Sequence, residues 1–235
     1  MSNTITVASY NMRKAIGTDR RRRPERILEV LHEIDADIVA LQEADRRFGL
    51  KLSALPLDLI ADITDYQPVA FDVRPGGIGW HGNAILVRKS ATVVDCRPLA
   101  LPVLEPRGAV LADIAIGGAS VRIVGMHLDL SGLWRRRQAK AVMAHVTGCD
   151  RALPTVMMGD LNEWSLHGGC LRDFGRDYRF APTGRSYHAR RPMACLDRIL
   201  VGPGVTVLDS GVHHSQSASR ASDHLPIWAK LRLPG

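Results

Sequence analysis

The stretch "AVLADIAIGGASVRIVGMH", residues 109–127, decides the fold class. It holds two apolar runs of strand length, 109–116 and 121–127, separated by residues 117–120, which begin with Gly117-Gly118. Two glycines between two such runs form a tight hairpin, because both turn positions need backbone angles that only glycine adopts cheaply. Just upstream, residues 83–88 and 91–96 read as two further strands. Four strands in succession without a helix exclude the strict strand–helix alternation of a doubly wound sheet. Two packed sheets covered by helices fit better.

Working outward, the remaining segments supply both ingredients. Residues 5–12, "ITVASYNM", make an opening strand. "PERILEVLHEI", residues 24–34, carries Pro near its first turn and puts Ile27, Leu28, Leu31 and Ile34 on one face, the pattern of a helix. "ADIVALQE" and "LPTVMMGD" are buried strands, residues 133–146 form a second helix, and residues 196–201 and 205–208 are short strands around "GPG". Near the end, "ASDHLPIWAKL" leads into a strand in which Leu225, Ile227, Ala229 and Leu231 alternate with outward residues. No repeat and no low-complexity linker interrupts the 235 residues, so a single domain over 1–235 is expected.

The composition narrows the setting. With 46% hydrophobic residues the chain can bury a sizeable core, and its longest apolar runs are far shorter than the ~20 residues of a membrane span. The segment "MSNTITVASYNMR" has no basic start followed by a long apolar stretch, so a cytoplasmic location is expected. Cys96, Cys149, Cys170 and Cys195 form no C-x-x-C pair, which disfavours a structural zinc site and leaves reduced, mostly buried thiols as the expectation. The net charge of +7 includes arginine runs at 20–23 and 135–137. Such a surface attracts phosphates of any kind, although it serves equally well as a solvated face.

One pattern recurs at the strand ends. "VASYN" stops at Asn11, "IVALQE" at Gln42 and Glu43, "VRIVGMH" at His127, and "TVMMGDLN" at Asp160 and Asn162; "CLD" opens a strand with Asp197, and "SDH" places Asp223 and His224 before the last one. Read singly, each fits a turn, and Asp160 could cap a helix in "DLNEW". Together they point to one chemistry. Hydrolysis of a phosphate ester needs a cation against the oxygens, a base for water and donors for developing charge. Glu43 and Asp223 are hard oxygen ligands suited to Mg²⁺ or Mn²⁺. His224 can serve as acid or base if a carboxylate such as Asp197 orients it, with Asn162 and His127 as donors.

The ordered set "SYN", "IVALQE", "GNAILV", "HLD", "GDLNEW", "LDRIL" and "SDHLPI" resembles the endonuclease/exonuclease/phosphatase superfamily, the group related to DNase I, from Asn11 to Pro226. "GDLN" and "SDHLP" are its most specific pieces. The resemblance implies an α/β (α+β) fold, a four-layer αββα sandwich of two mostly antiparallel mixed sheets with helices outside. It implies a divalent-metal-dependent phosphoester hydrolase, a phosphodiesterase using in-line attack of water, with Mg²⁺ or Mn²⁺. Position by position, Glu43 matches the metal-binding glutamate, Asn11 the asparagine beside it and Asp223 the acidic residue near the metal. Asp160 and Asn162 match the pair that positions water and stabilises the transition state. His224 matches the histidine beside the scissile phosphate, Asp197 its carboxylate partner, and His127 the histidine that contacts phosphate or protonates the leaving oxygen. Asn83 and Arg107 are expected on the substrate side, with surface salt bridging as the alternative for Arg107 and for Arg13.

Finer features are similar to small bacterial members, some associated with phospholipid metabolism. Where those carry a Thr-Phe-Pro-like stretch before the LD motif, this chain has Ser186-Tyr187-His188, a departure at a loop that could border the substrate. The substrates left open are nucleic acid, a phospholipid headgroup or a small phosphodiester, acted on by a monomer. Alternatives are a nonspecific nuclease of the same fold and a non-catalytic phosphate-binding protein.

Overall fold

The computed structural model describes residues 3–45, 53–71 and 76–234. The strands in chain order are β1 (Thr4–Asn11), β2 (Ile38–Gln42), β3 (Tyr66–Pro68), β4 (Gly79–Trp80), β5 (Asn83–Arg88), β6 (Thr92–Leu99), β7 (Gly108–Ile116), β8 (Ala119–His127), β9 (Thr155–Asp160), β10 (Arg179–Phe180), β11 (Asp197–Val201), β12 (Thr206–Val212) and β13 (Ile227–Arg232). The helices are α1 (Pro24–Ile34), α2 (Leu57–Ile63), α3 (Gly132–Thr147), α4 (Cys170–Phe174) and α5 (Ala218–Ala221). The first sheet runs β12-β13-β1-β2-β5-β3, with β4 also on β5; the second runs β10-β11-β9-β8-β7-β6. The expected two-sheet sandwich is therefore present.

The two sheets repeat one arrangement that no sequence similarity announces. A central strand (β1 or β9) has an antiparallel neighbour on one side (β13 or β11) and a parallel neighbour on the other (β2 or β8). Parallel neighbours need a crossover, and α1 and α3 supply it. The period-2 geometry of a strand then builds the layers. Val7, Ile38 and Ala40 face the second sheet's Val110, Ile123, Val156 and Met158 in the central core. Ala8, Val39 and Leu41, pointing the other way, pack with Leu28 and Leu31 of α1. On the far side Val124 and Met157 meet Ala139 and Val142 of α3 and Phe174 of α4. Burial on both faces explains why "IVAL" and "VMM" are unbroken apolar runs. A Cβ at Gly125 would sit 3.3 Å from the Cβ of Ala40, so glycine there sets how closely the sheets approach.

Two expectations change. Residues 161–166 carry no helix, so Asp160 is not a helix cap. Of the four cysteines, only Cys170 is buried, and the others are half-buried.

Candidate active site

Strand register brings the second sheet's polar ends into one row. Asp197 lies opposite Asp160, His127 beside Asp160, and Gly108 opposite His127. Asp160 is the hub. Its Oδ2 accepts a 2.9 Å hydrogen bond from Asn11 Nδ2 and lies 3.3 Å from His127 Nε2 and 3.7 Å from His224 Nε2. Its Oδ1 accepts the Asn162 backbone N–H at 2.9 Å. The Asn11 bond also ties the two sheets together at the site. His224 shares a 2.9 Å hydrogen bond between Nδ1 and Asp197 Oδ2, and Ser186 donates its hydroxyl to the same oxygen. Asp197 Oδ1 is buried with no partner among the described residues, an acceptor left open beside the cluster.

Burial alone would neutralise these groups, yet their mutual attraction prevails. Burial pushes Asp160 up, but the His224 and His127 side chains reverse this and hold it well below the usual carboxylate range. Burial would lower His224, but Asp197 and then Asp160 raise it to about 10. The cluster thus favours a carboxylate facing an imidazolium.

The first sheet's contribution is built differently. Glu43 follows β2 with a φ of 54°, a left-handed conformation that costs a non-glycine residue of the order of 1 kcal/mol or more. Its carboxylate pairs with the Lys14 ammonium, while Arg13 Nε lies 3.3 Å from Asp223 Oδ2. Arg13, Lys14 and Ala15 are themselves all left-handed, with φ of 46°, 57° and 58°. The Arg13 backbone N–H donates to Asn11 Oδ1 at 3.1 Å. One strained turn therefore carries a cation to each of Glu43 and Asp223. Burial pushes Glu43 up, but His127 and Lys14 bring its net shift below the ordinary value.

The remaining expected residues are accounted for. Arg107 lies against the His127 ring and 3.5 Å from Glu105, so it reaches the site and makes a salt bridge as well. Asn83 is buried and donates to the carbonyls of Trp80 (3.3 Å) and Gly108 (3.1 Å), so it fixes the strand end next to Arg107. Asn162 Nδ2 donates to Leu128 O at 2.9 Å with its own backbone at φ 50°.

A family model described as "Endonuclease/Exonuclease/phosphatase family" matches residues 8–224. The chain belongs to the endonuclease/exonuclease/phosphatase family. Solved structures share this fold at low identity. A family member from Bacteroides vulgatus superposes with a TM-score of 0.76 at 20% identity, covering 98% of this chain and 99% of that one. A humanized D. rerio TDP2 gives 0.75 at 16%, over 98% and 100% of the two chains. The mannosyl-6-phosphatase of Bacteroides thetaiotaomicron gives 0.73 at 21%, over 97% and 99%. No curated protein matches the sequence.

Within this family member, three residues stand out that the sequence left unassigned. Tyr187 packs its ring 4.9 Å from that of His224, and Ser186 bonds to Asp197. The Ser-Tyr-His departure thus lies against the site itself, with serine supplying a hydroxyl. Arg135, expected among partly solvated arginines, is buried and bonds Glu163 Oε2 through Nε at 3.3 Å and Nη2 at 3.2 Å. A pair 28 residues apart leaves no periodic signal in the sequence.

Proposed function

We propose that the protein is a divalent-metal-dependent phosphoester hydrolase, most simply a phosphodiesterase. The observation that carries this reading is the Asp197–His224–Asp160 row with His127 and Asn11 closed around Asp160. This set contains an ionised base, two positionable donors and an orienting carboxylate, the parts an in-line attack of water on phosphorus requires.

The metal belongs with Glu43, Asp223 and Asn11. These offer hard oxygen donors, and the two carboxylates already hold cations, so the donor set fits Mg²⁺ or Mn²⁺. Asp160, Asp197 and His224 are the acid–imidazole group that, among the described residues, lies close enough together to hold an ion. That cluster suits protons better, because His224 Nδ1 is engaged with Asp197 and Asp160 accepts from Asn11 and Asn162. When bound, the metal neutralises the phosphate oxygens and lowers the barrier to attack.

The chain's own residues do the rest. Asp160, held ionised, orients the attacking water and accepts its proton. His224, kept protonated by Asp197, donates from Nε2 to a phosphoryl oxygen, and in this reading the base is Asp160 and not the histidine. His127, backed by Arg107, donates to the leaving oxygen or its neighbour, and Asn162 holds the loop that follows Asp160. Water's oxygen bonds to phosphorus as the ester P–O bond breaks, and the leaving oxygen takes a proton. The test is hydrolysis of bis-p-nitrophenyl phosphate with Mg²⁺ and Mn²⁺, alongside plasmid DNA, RNA and lipid phosphodiesters. Turnover that needs the metal is expected; no turnover with any divalent metal in folded protein would refute the reading.

A further inference from the structure

Six of the large apolar side chains left in solvent crowd the loops around this site. Leu104, Leu130, Leu133, Trp164, Leu166 and Met193 are 57 to 65% exposed. Scattered exposed leucines are ordinary, whereas a contiguous exposed apolar rim marks an interaction surface. The segments that carry these six residues are tied to one another, and we take the six to form one rim. Asp129 Oδ2 accepts the backbone N–H of Leu104 (3.4 Å) and Glu105 (3.3 Å), while Gln138 accepts the Asp129 N–H at 2.8 Å and donates to Pro102 O at 3.1 Å. Buried Arg135 donates to Leu130 O at 2.6 Å and to Glu163, joining the loop that holds Leu130 and the start of α3, which holds Leu133, to the loop that holds Trp164 and Leu166. Trp164 meets Tyr187 edge-on at 5.9 Å, and the Met193 N–H donates to Tyr187 O at 2.6 Å. The rim is therefore a fixed feature of the mouth.

Its charge selects the partner. Arg190, Arg191 and Arg137 are exposed beside Met193 and Leu133. Of the acids on the same segments, Asp129 and Glu163 are buried, and Glu105, though partly exposed, is paired with Arg107. A second copy of this chain would set arginine against arginine. A nucleic acid would use the arginines but leave aliphatic side chains wet, since bases stack on aromatic faces and Trp164 is the one exposed aromatic of the six. Leucine, methionine and tryptophan interleaved with arginine match the boundary of a bilayer that carries anionic lipid.

We infer that this rim docks the protein on an anionic membrane surface and presents the site to amphiphilic phosphodiesters there. The inference rests on the hydrolase reading only for what happens after docking. The test is co-sedimentation with phosphatidylcholine vesicles, with and without phosphatidylglycerol. Wild-type protein is expected to partition onto the anionic vesicles. Leu166→Asp and Met193→Asp should each weaken partitioning about tenfold, with melting temperature and turnover of the soluble chromogenic ester retained. No wild-type partitioning, partitioning unchanged in both variants, or preferential, salt-sensitive capture of a single-stranded oligonucleotide would overturn the inference. Turnover of the soluble ester without vesicle binding would remove the docking and leave the hydrolase. Vesicle binding without turnover of any phosphodiester would do the reverse.

Discussion

The two halves of the candidate site are held in different ways. On the second sheet, His127, Asp160 and Asp197 sit in strand register, nearly fully buried, with a proton-sharing partner at each step. On the first sheet, Glu43 and Asp223 are half-buried and answer to a strained turn whose Arg13 and Lys14 are partly exposed. On the proposed function, the difference separates a preorganised half, where charge is fixed before substrate arrives, from an adjustable half, where a metal would replace the Lys14 and Arg13 cations. Preorganised dipoles lower a barrier without reorganisation cost, while an exchangeable site suits a metal that keeps some of its waters.

That contrast can be broken by mutation. Asp160→Ala removes the hub and leaves Asn11, His127 and His224 facing a void; turnover should fall about 10³-fold or more, as read in kcat on a chromogenic diester. Asp197→Asn should cost about 10²-fold, because His224 loses the carboxylate that orients it and keeps it protonated. Its metal affinity, measured by calorimetry, should stay within about twofold if the halves are independent. Glu43→Gln should do the opposite, weakening metal binding about tenfold or more. If Asp197→Asn weakened metal binding as much as Glu43→Gln, the division would be wrong.

Proton linkage sharpens the same point. His224 is raised to about 10 in the folded protein, so its stabilising contribution is complete below the unfolded value of roughly 6.5 and is lost as pH rises towards 10. Metal-free protein should therefore melt at a lower temperature at pH 10 than at pH 7. Asp197→Asn should flatten that dependence. The smallest effect belongs to Lys14→Ala. A partly exposed ion pair is worth up to about 1 kcal/mol, so freeing Glu43 from Lys14 should tighten metal binding by up to about fivefold. Weaker binding would show that Lys14 supports the site and does not compete for it.

Much of the fold was legible because its long strands and helices obey simple periods. Residues 24–34 form the helix their spacing predicts, and the Gly117-Gly118 hairpin joins β7 and β8. The short strands β3, β4 and β10, of two or three residues, are too brief to show any period. The repeat between the sheets is a matter of pairing order, which leaves no trace in residue type. The site divides in the same way. Abrupt polar ends of apolar strands marked Asn11, Glu43, His127 and Asp160, but not their partnerships. Asn11 and Asp160 are 149 positions apart, and register alone sets Asp197 opposite Asp160. Arg135 looked like one of three arginines in a run, and only packing reveals that it alone turns inward to Glu163 while Arg136 and Arg137 stay exposed.

The most direct measurement is the dependence of the initial rate of diester hydrolysis on Mg²⁺ concentration, in wild-type protein, Asp160→Asn and Glu43→Gln. The account predicts a saturable curve for wild type. Asp160→Asn should lower the plateau about 10³-fold and move the midpoint less than Glu43→Gln does, because Asp160 touches the metal-holding residues only through Asn11, whereas Glu43→Gln should move the midpoint to higher metal concentration. A wild-type rate that is zero or indifferent to metal, or a midpoint displaced by Asp160→Asn and untouched by Glu43→Gln, would contradict it.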